Sequence, residues 1–78
     1  MNKTHFLFKI EEICELPANT LKGEEDLVGS TLIDSLSLLG LIAMLDKNFG
    51  LNLTLSEMLS IGTVNNLYFK VSERVGTN

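Results

Sequence analysis

Disulfides and structural zinc are closed to this chain. Cys14 is its only cysteine and His5 its only histidine, so no intrachain bridge can form and a Cys/His metal cluster has no material. At 78 residues there is room for a single domain with one modest core, which must then be held by packing alone. A hydrophobic content of 45% can supply it in the form of packed helices. Positive charge is also scarce. Six Lys and Arg stand against ten acids, for a net charge of −4 and a pI of about 4.7. That balance gives no basic face for phosphates, excludes nucleic acid as a partner, and suits a positively charged partner surface. No apolar run reaches the length of about 20 residues that spans a bilayer. The start, Met1 to His5, leads into Lys9, Glu11 and Glu12 without a signal peptide's apolar stretch. The expectation is a cytoplasmic, reduced monomer.

The parts of an autonomous enzyme are missing as well. The one imidazole lies in a different segment from every serine, and there is no G-x-S-x-G elbow or glycine-rich phosphate loop. Glu11, Glu12, Glu24, Glu25 and Asp26 sit among polar neighbours and read as a solvated face. The chain is expected to be non-catalytic, with no catalytic residue and no metal.

What is present is helical periodicity. From Lys3 to Leu16, Phe6, Ile10, Ile13 and Cys14 recur at helical spacing, and the lone proline, Pro17, stops the pattern. Residues 17 to 33 read as a long ordered loop, with Leu21, Leu27 and Leu32 turned inward; a loop of that length in a small domain is commonly functional. Asp34 to Phe49 is the best helix. Asp34 suits its N-cap and Gly50 its C-terminal turn. Leu38, Leu41, Ile42, Leu45 and Phe49 form its core stripe, while Leu36, Leu39, Gly40, Ala43 and Met44 leave the opposite side unexpectedly apolar. Gly40 inside a helix costs about 1 kcal/mol relative to alanine, which suggests the close approach of another backbone. Leu51 to Ile61 allows one or two helical turns. Thr63 then caps a last helix through Val64, Leu67, Tyr68, Val71 and Val75, and Gly76-Thr77-Asn78 reads as a frayed end.

Asp34-Ser35-Leu36 draws attention next. A serine in the first turn of a helix exposes its hydroxyl beside free backbone N–H groups, where a phosphate meets the positive end of the dipole. Alone, the weak tripeptide reads more readily as a helix cap and nothing more. Taken in order with Leu45-Asp46-Lys47-Asn48-Phe49-Gly50 and Ile61-Gly62-Thr63-Val64, it resembles the acyl and peptidyl carrier protein family, over nearly the whole chain from Phe6 to about Val71. The resemblance implies an all-α, acyl-carrier-like four-helix bundle with a long first loop and a short third helix. It implies 4′-phosphopantetheine, drawn from coenzyme A and attached covalently to Ser35 by a phosphopantetheinyl transferase, which Asp34 helps to orient. It assigns Leu36, Leu39 and Ala43 to contacts with acyl-loading and acyl-transferring enzymes. The thiol that carries cargo then belongs to the arm, and Cys14 acts as a buried small hydrophobe.

The chain departs from the family pattern in three places. Ser37 and Gly40 stand where acids are common in fatty-acid carriers, leaving only Asp34 and Asp46 on the second helix, and Leu32 replaces a frequent glycine. Recognition should therefore rest more on apolar contact than on charge steering. These differences point away from housekeeping fatty acid synthesis, toward acyl carriage in a specialised lipid or secondary-metabolite pathway. An aminoacyl or peptidyl carrier and a helical interaction module without a prosthetic group are the alternatives. A pocket between the second and third helices, lined by Leu41, Leu45, Leu59 and Ile61, is expected to shelter cargo.

Overall fold

The computed structural model describes residues 2–75, so the expectation for Gly76 to Asn78 lies outside them. Four helices follow in order: α1 (Lys3–Cys14), α2 (Ser35–Phe49), α3 (Leu55–Ile61) and α4 (Val64–Val75). The described chain is all-α, as expected, with a long first loop and a short third helix. α1 packs on α2, and α4 packs on both α2 and α3.

Local chemistry sets most of the helix ends. Asn2 caps α1 by accepting the His5 N–H at 2.8 Å. α1 ends at Cys14, two residues short of the expected Leu16. Glu15 turns left-handed (φ 57°), its N–H donates to the Glu12 carbonyl, and the Leu16 N–H donates to the Glu11 carbonyl at 2.8 Å. This crossed pair of bonds closes the helix before Pro17 is reached. α3 begins with a capping box. The Glu57 N–H donates to Thr54 Oγ1, and the Thr54 N–H donates to Glu57 Oε1. Thr63 Oγ1 accepts the Asn66 N–H at 3.2 Å, capping α4 as expected.

The core is built from one stripe of each long helix. Phe6 lies at its centre, fully buried, with its ring 5.7 Å from Tyr68 and 6.5 Å from Phe49. Such tilted pairs stabilise beyond the area they bury. Ile10, Leu38, Leu41, Leu45, Leu67 and Val71 surround it, and Leu53 and Met58 close the side toward α3. On α2 the apolar side opposite the main stripe is narrower than the sequence suggests. Met44 packs against the core, and a Cβ at Gly40 would come within 3.1 Å of Ile13 Cγ2. The group that approaches Gly40 is thus a side chain of α1, not a backbone.

The long loop is tied down at two points. Its carbonyls satisfy the first amides of α4, which no helix can satisfy internally: Val64 N–H donates to Glu25 at 3.0 Å and Asn65 N–H to Gly23 at 2.8 Å. The Leu27 N–H returns the contact by donating to Gly62 at 2.7 Å. Gly23 is required here. Its φ is +114°, and a Cβ would run into the side-chain carbonyl of Asn65. Leu21 and Leu27 turn inward as expected, but Leu32 is only half-buried and Ile33 takes the core position instead.

The second tie overturns the reading of Glu11 as solvated. Glu11 is 3% exposed, and its Oε2 accepts the Leu21 N–H at 2.8 Å. The buried carboxylate pairs a loop amide that the core has cut off from water. Glu11→Ala leaves that amide unpaired. We expect a loss of about 1–3 kcal/mol, read as a lower urea midpoint, with Glu11→Gln, which keeps an acceptor, losing less.

Candidate functional site

The site is the junction of the long loop with α2. Asp34 is extended (φ −84°, ψ 179°) and its Oδ1 accepts the Ser37 N–H at 2.8 Å. This is the N-cap geometry that the sequence implied. Donation from the Ser37 N–H, then from the Ser37 hydroxyl and the Leu36 N–H, holds the Asp34 carboxyl below the usual aspartate range. Ser35 is the first residue of the 15-residue α2 and is exposed. Its hydroxyl therefore stands in solvent at the positive end of the helix dipole.

The lowered Asp34 pKa has a sign that can be checked. A group with a depressed folded pKa contributes stability that is complete above its unfolded value, about 3.9, and lost as pH falls through the folded value. Asparagine is an equally good cap without the charge. Asp34→Asn should therefore melt below the parent at neutral pH, and the two melting temperatures should converge as the pH drops beneath the ordinary aspartate range. A gap that persists unchanged at low pH would show that the charge contributes nothing.

Leu36, Leu39 and Ala43 come together on one outward face of α2. Leu36 is 79% exposed and Leu39 59% exposed, and Ala43 is exposed beside them. The long loop does not bury these leucines. Exposed apolar groups at this spacing have the form of a docking surface.

Among the described residues no imidazole lies beside Ser35, and the adjacent Asp34 carboxylate is taken up in capping the helix. His5 lies nine positions before Cys14 on α1, about 14 Å along the axis, and it is the Cys14 end of α1 that meets this site. His5 instead lines a groove with Glu12, Leu16 and Ala18. Cys14 is half-buried rather than buried. Burial pushes its thiol pKa up, the nearby Asp34 charge adds to this, and a hydrogen bond with Ser37 opposes both. A thiol so placed stays protonated and is a poor nucleophile.

The expected pocket between α2 and α3 is not formed by its named residues. Leu41 and Leu45 are fully buried in the core, whereas Leu59 is 64% exposed and faces away from it. The cavity next to the serine lies on the opposite side, between the loop and the first turn of α2. It has a volume of about 240 Å³, with Val28, Ile33, Asp34, Ser35 and Leu38 among its lining residues. Sequence reasoning missed Val28, Ser30 and Ile33, which follow no helical period and meet only through the path of the loop.

Residues 6–68 match a family described by its phosphopantetheine attachment site. No curated protein and no solved structure matches the chain.

Proposed function

The chain belongs to the phosphopantetheine-attachment family of acyl and peptidyl carrier proteins, and from that premise we propose that Ser35 is the residue that bears the arm. The family carries 4′-phosphopantetheine covalently, and its domains are carriers that work with transferases and acyl-handling enzymes. When bound, the arm supplies a terminal thiol that holds cargo as a thioester. One observation supports Ser35 above all: an exposed hydroxyl at the first position of a capped 15-residue helix, inside the matched stretch.

The residues present suit such a group. A phosphodiester on Ser35 meets the dipole of α2, while the Asp34 carboxylate spends its charge on the amides of Ser37 and Leu36. The base that removes the Ser35 proton comes from the transferase, because the neighbouring Asp34 carboxylate is committed to the helix cap. The chain's own part is to hold the hydroxyl in solvent, orient it through the cap, and offer Leu36, Leu39 and Ala43 to partner enzymes. Asp34 serves the transferase by fixing the first turn of α2.

For cargo, the reading is an acyl group in a specialised lipid or secondary-metabolite pathway of the cytoplasm. What supports it is the shortage of acids on α2, which retains only Asp34 and Asp46 and so lacks the charge that steers fatty-acid carriers. The test has two stages. Incubation with coenzyme A and a promiscuous transferase should add the mass of the arm. The loaded chain, offered in turn to acyl-, aryl- and aminoacyl-activating ligases, should form a thioester with an acyl donor. A chain that folds but stays unmodified with several transferases overturns the carrier reading; exclusive charging by an aminoacyl ligase overturns the acyl reading.

A further inference from the structure

We infer that the cavity between the long loop and the first turn of α2 is a cradle for the pantoyl segment of the arm, the stretch with two methyl groups on one carbon. The inference rests on Ser35 being the attachment point. It starts from position: Ser35 itself lines the cavity, so anything tethered to it begins beside that space. Only a phosphodiester and one methylene separate the serine oxygen from the dimethyl carbon. That carbon is therefore the first apolar part of the arm and the part held closest to the opening.

The lining has matching chemistry. Val28, Ile33 and Leu38 give apolar walls, where two methyl groups leave water favourably. Past the dimethyl carbon the segment turns polar, with a hydroxyl and an amide. Ser30 faces the same space. Its Oγ accepts the Leu32 N–H at 3.1 Å, which leaves its own proton free to donate. Gly29 keeps the mouth open: its φ is +91°, and nothing lies within 4 Å of where a Cβ would stand. Val28 is 36% exposed, an apolar side chain that the fold alone leaves partly wet. Toward α3, Leu41, Leu45 and Met58 are fully buried in the core.

The experiment is an isotope-filtered nuclear Overhauser measurement on ¹³C-labelled protein loaded from ordinary coenzyme A. Intact mass is read first, and absence of the arm's mass strikes the Ser35 reading itself and this inference with it. With the mass gain in place, the arm's paired methyl protons should show Overhauser contacts to Val28, Ile33 and Leu38. The amides of Gly29 and Ser30 should shift between the unloaded and loaded forms. Once loaded, Val28→Asp should lose these contacts, and Val28→Thr, a milder change, should weaken them. Contacts to Leu55 or Leu59 on α3 instead, or no contacts from the arm methyls at all, would overturn the cradle while leaving the attachment site intact.

Discussion

Replacing Ser35 by alanine should abolish uptake of the arm, while Ser37→Ala should be modified to completion under the same conditions. The contrast follows from two hydroxyls that lie within one helical turn yet differ in surroundings. Ser35 is exposed at the helix mouth. Ser37 is half-buried, and its N–H donates to the Asp34 carboxylate. An incoming transferase must bring both a base and the pyrophosphate of coenzyme A to the oxygen, and only the exposed one can be approached from solvent. Because Ser35 contributes no burial, and alanine is the better helix former, the variant should melt at or slightly above the parent temperature. Loss of loading thus reports chemistry and not unfolding. Intact mass spectrometry with coenzyme A and a promiscuous transferase reads the result. A full mass gain on the Ser35→Ala chain would sink the assignment, and peptide mapping would identify the true acceptor.

Where a single local signal decides the outcome, the sequence was sufficient. Asp34 and Gly50 bracket α2 at the expected residues, the latter as a left-handed cap (φ 64°). The stripe of Leu38, Leu41 and Leu45 is buried as its period implies. Thr54 and Glu57 also spell a capping box, a signal legible in the sequence that fixes the otherwise vague start of α3. The misreadings share another cause. Glu11 is buried by an amide ten residues away, and no periodicity within α1 carries that information. α1 stops early because Glu15 adopts a left-handed turn, a conformation that side chain identity seldom announces. The cavity beside Ser35 depends on how residues 27–33 are threaded against α2 and pinned to α4 through Leu27, Glu25 and Gly23. Those are tertiary bonds, and apolar residues in a loop give no hint of which face they share.

Exposed leucines give the second large expected effect. Leu36 and Leu39 project from α2 at 79% and 59% exposure, so replacing both by glutamine removes apolar surface without touching the core. Glutamine keeps the size and the helix propensity, and thermal unfolding should be unchanged. Apolar anchors at the centre of an interface are worth about 1–2 kcal/mol each when truncated, and 1.4 kcal/mol is about tenfold in affinity. The double variant should therefore load with a kcat/KM about 30- to 700-fold lower, expressed mainly in KM. Charge should matter less. Only Asp34 and Asp46 are acidic along α2, and Asp34 is already engaged by the amides of its own helix. Raising the ionic strength shortens the Debye length to a few ångströms; it should shift kcat/KM of the parent less than the paired glutamines do. If the glutamine variant loads at the parental rate while added salt suppresses loading strongly, recognition runs through acids elsewhere on the surface and the apolar face of α2 is not the docking site.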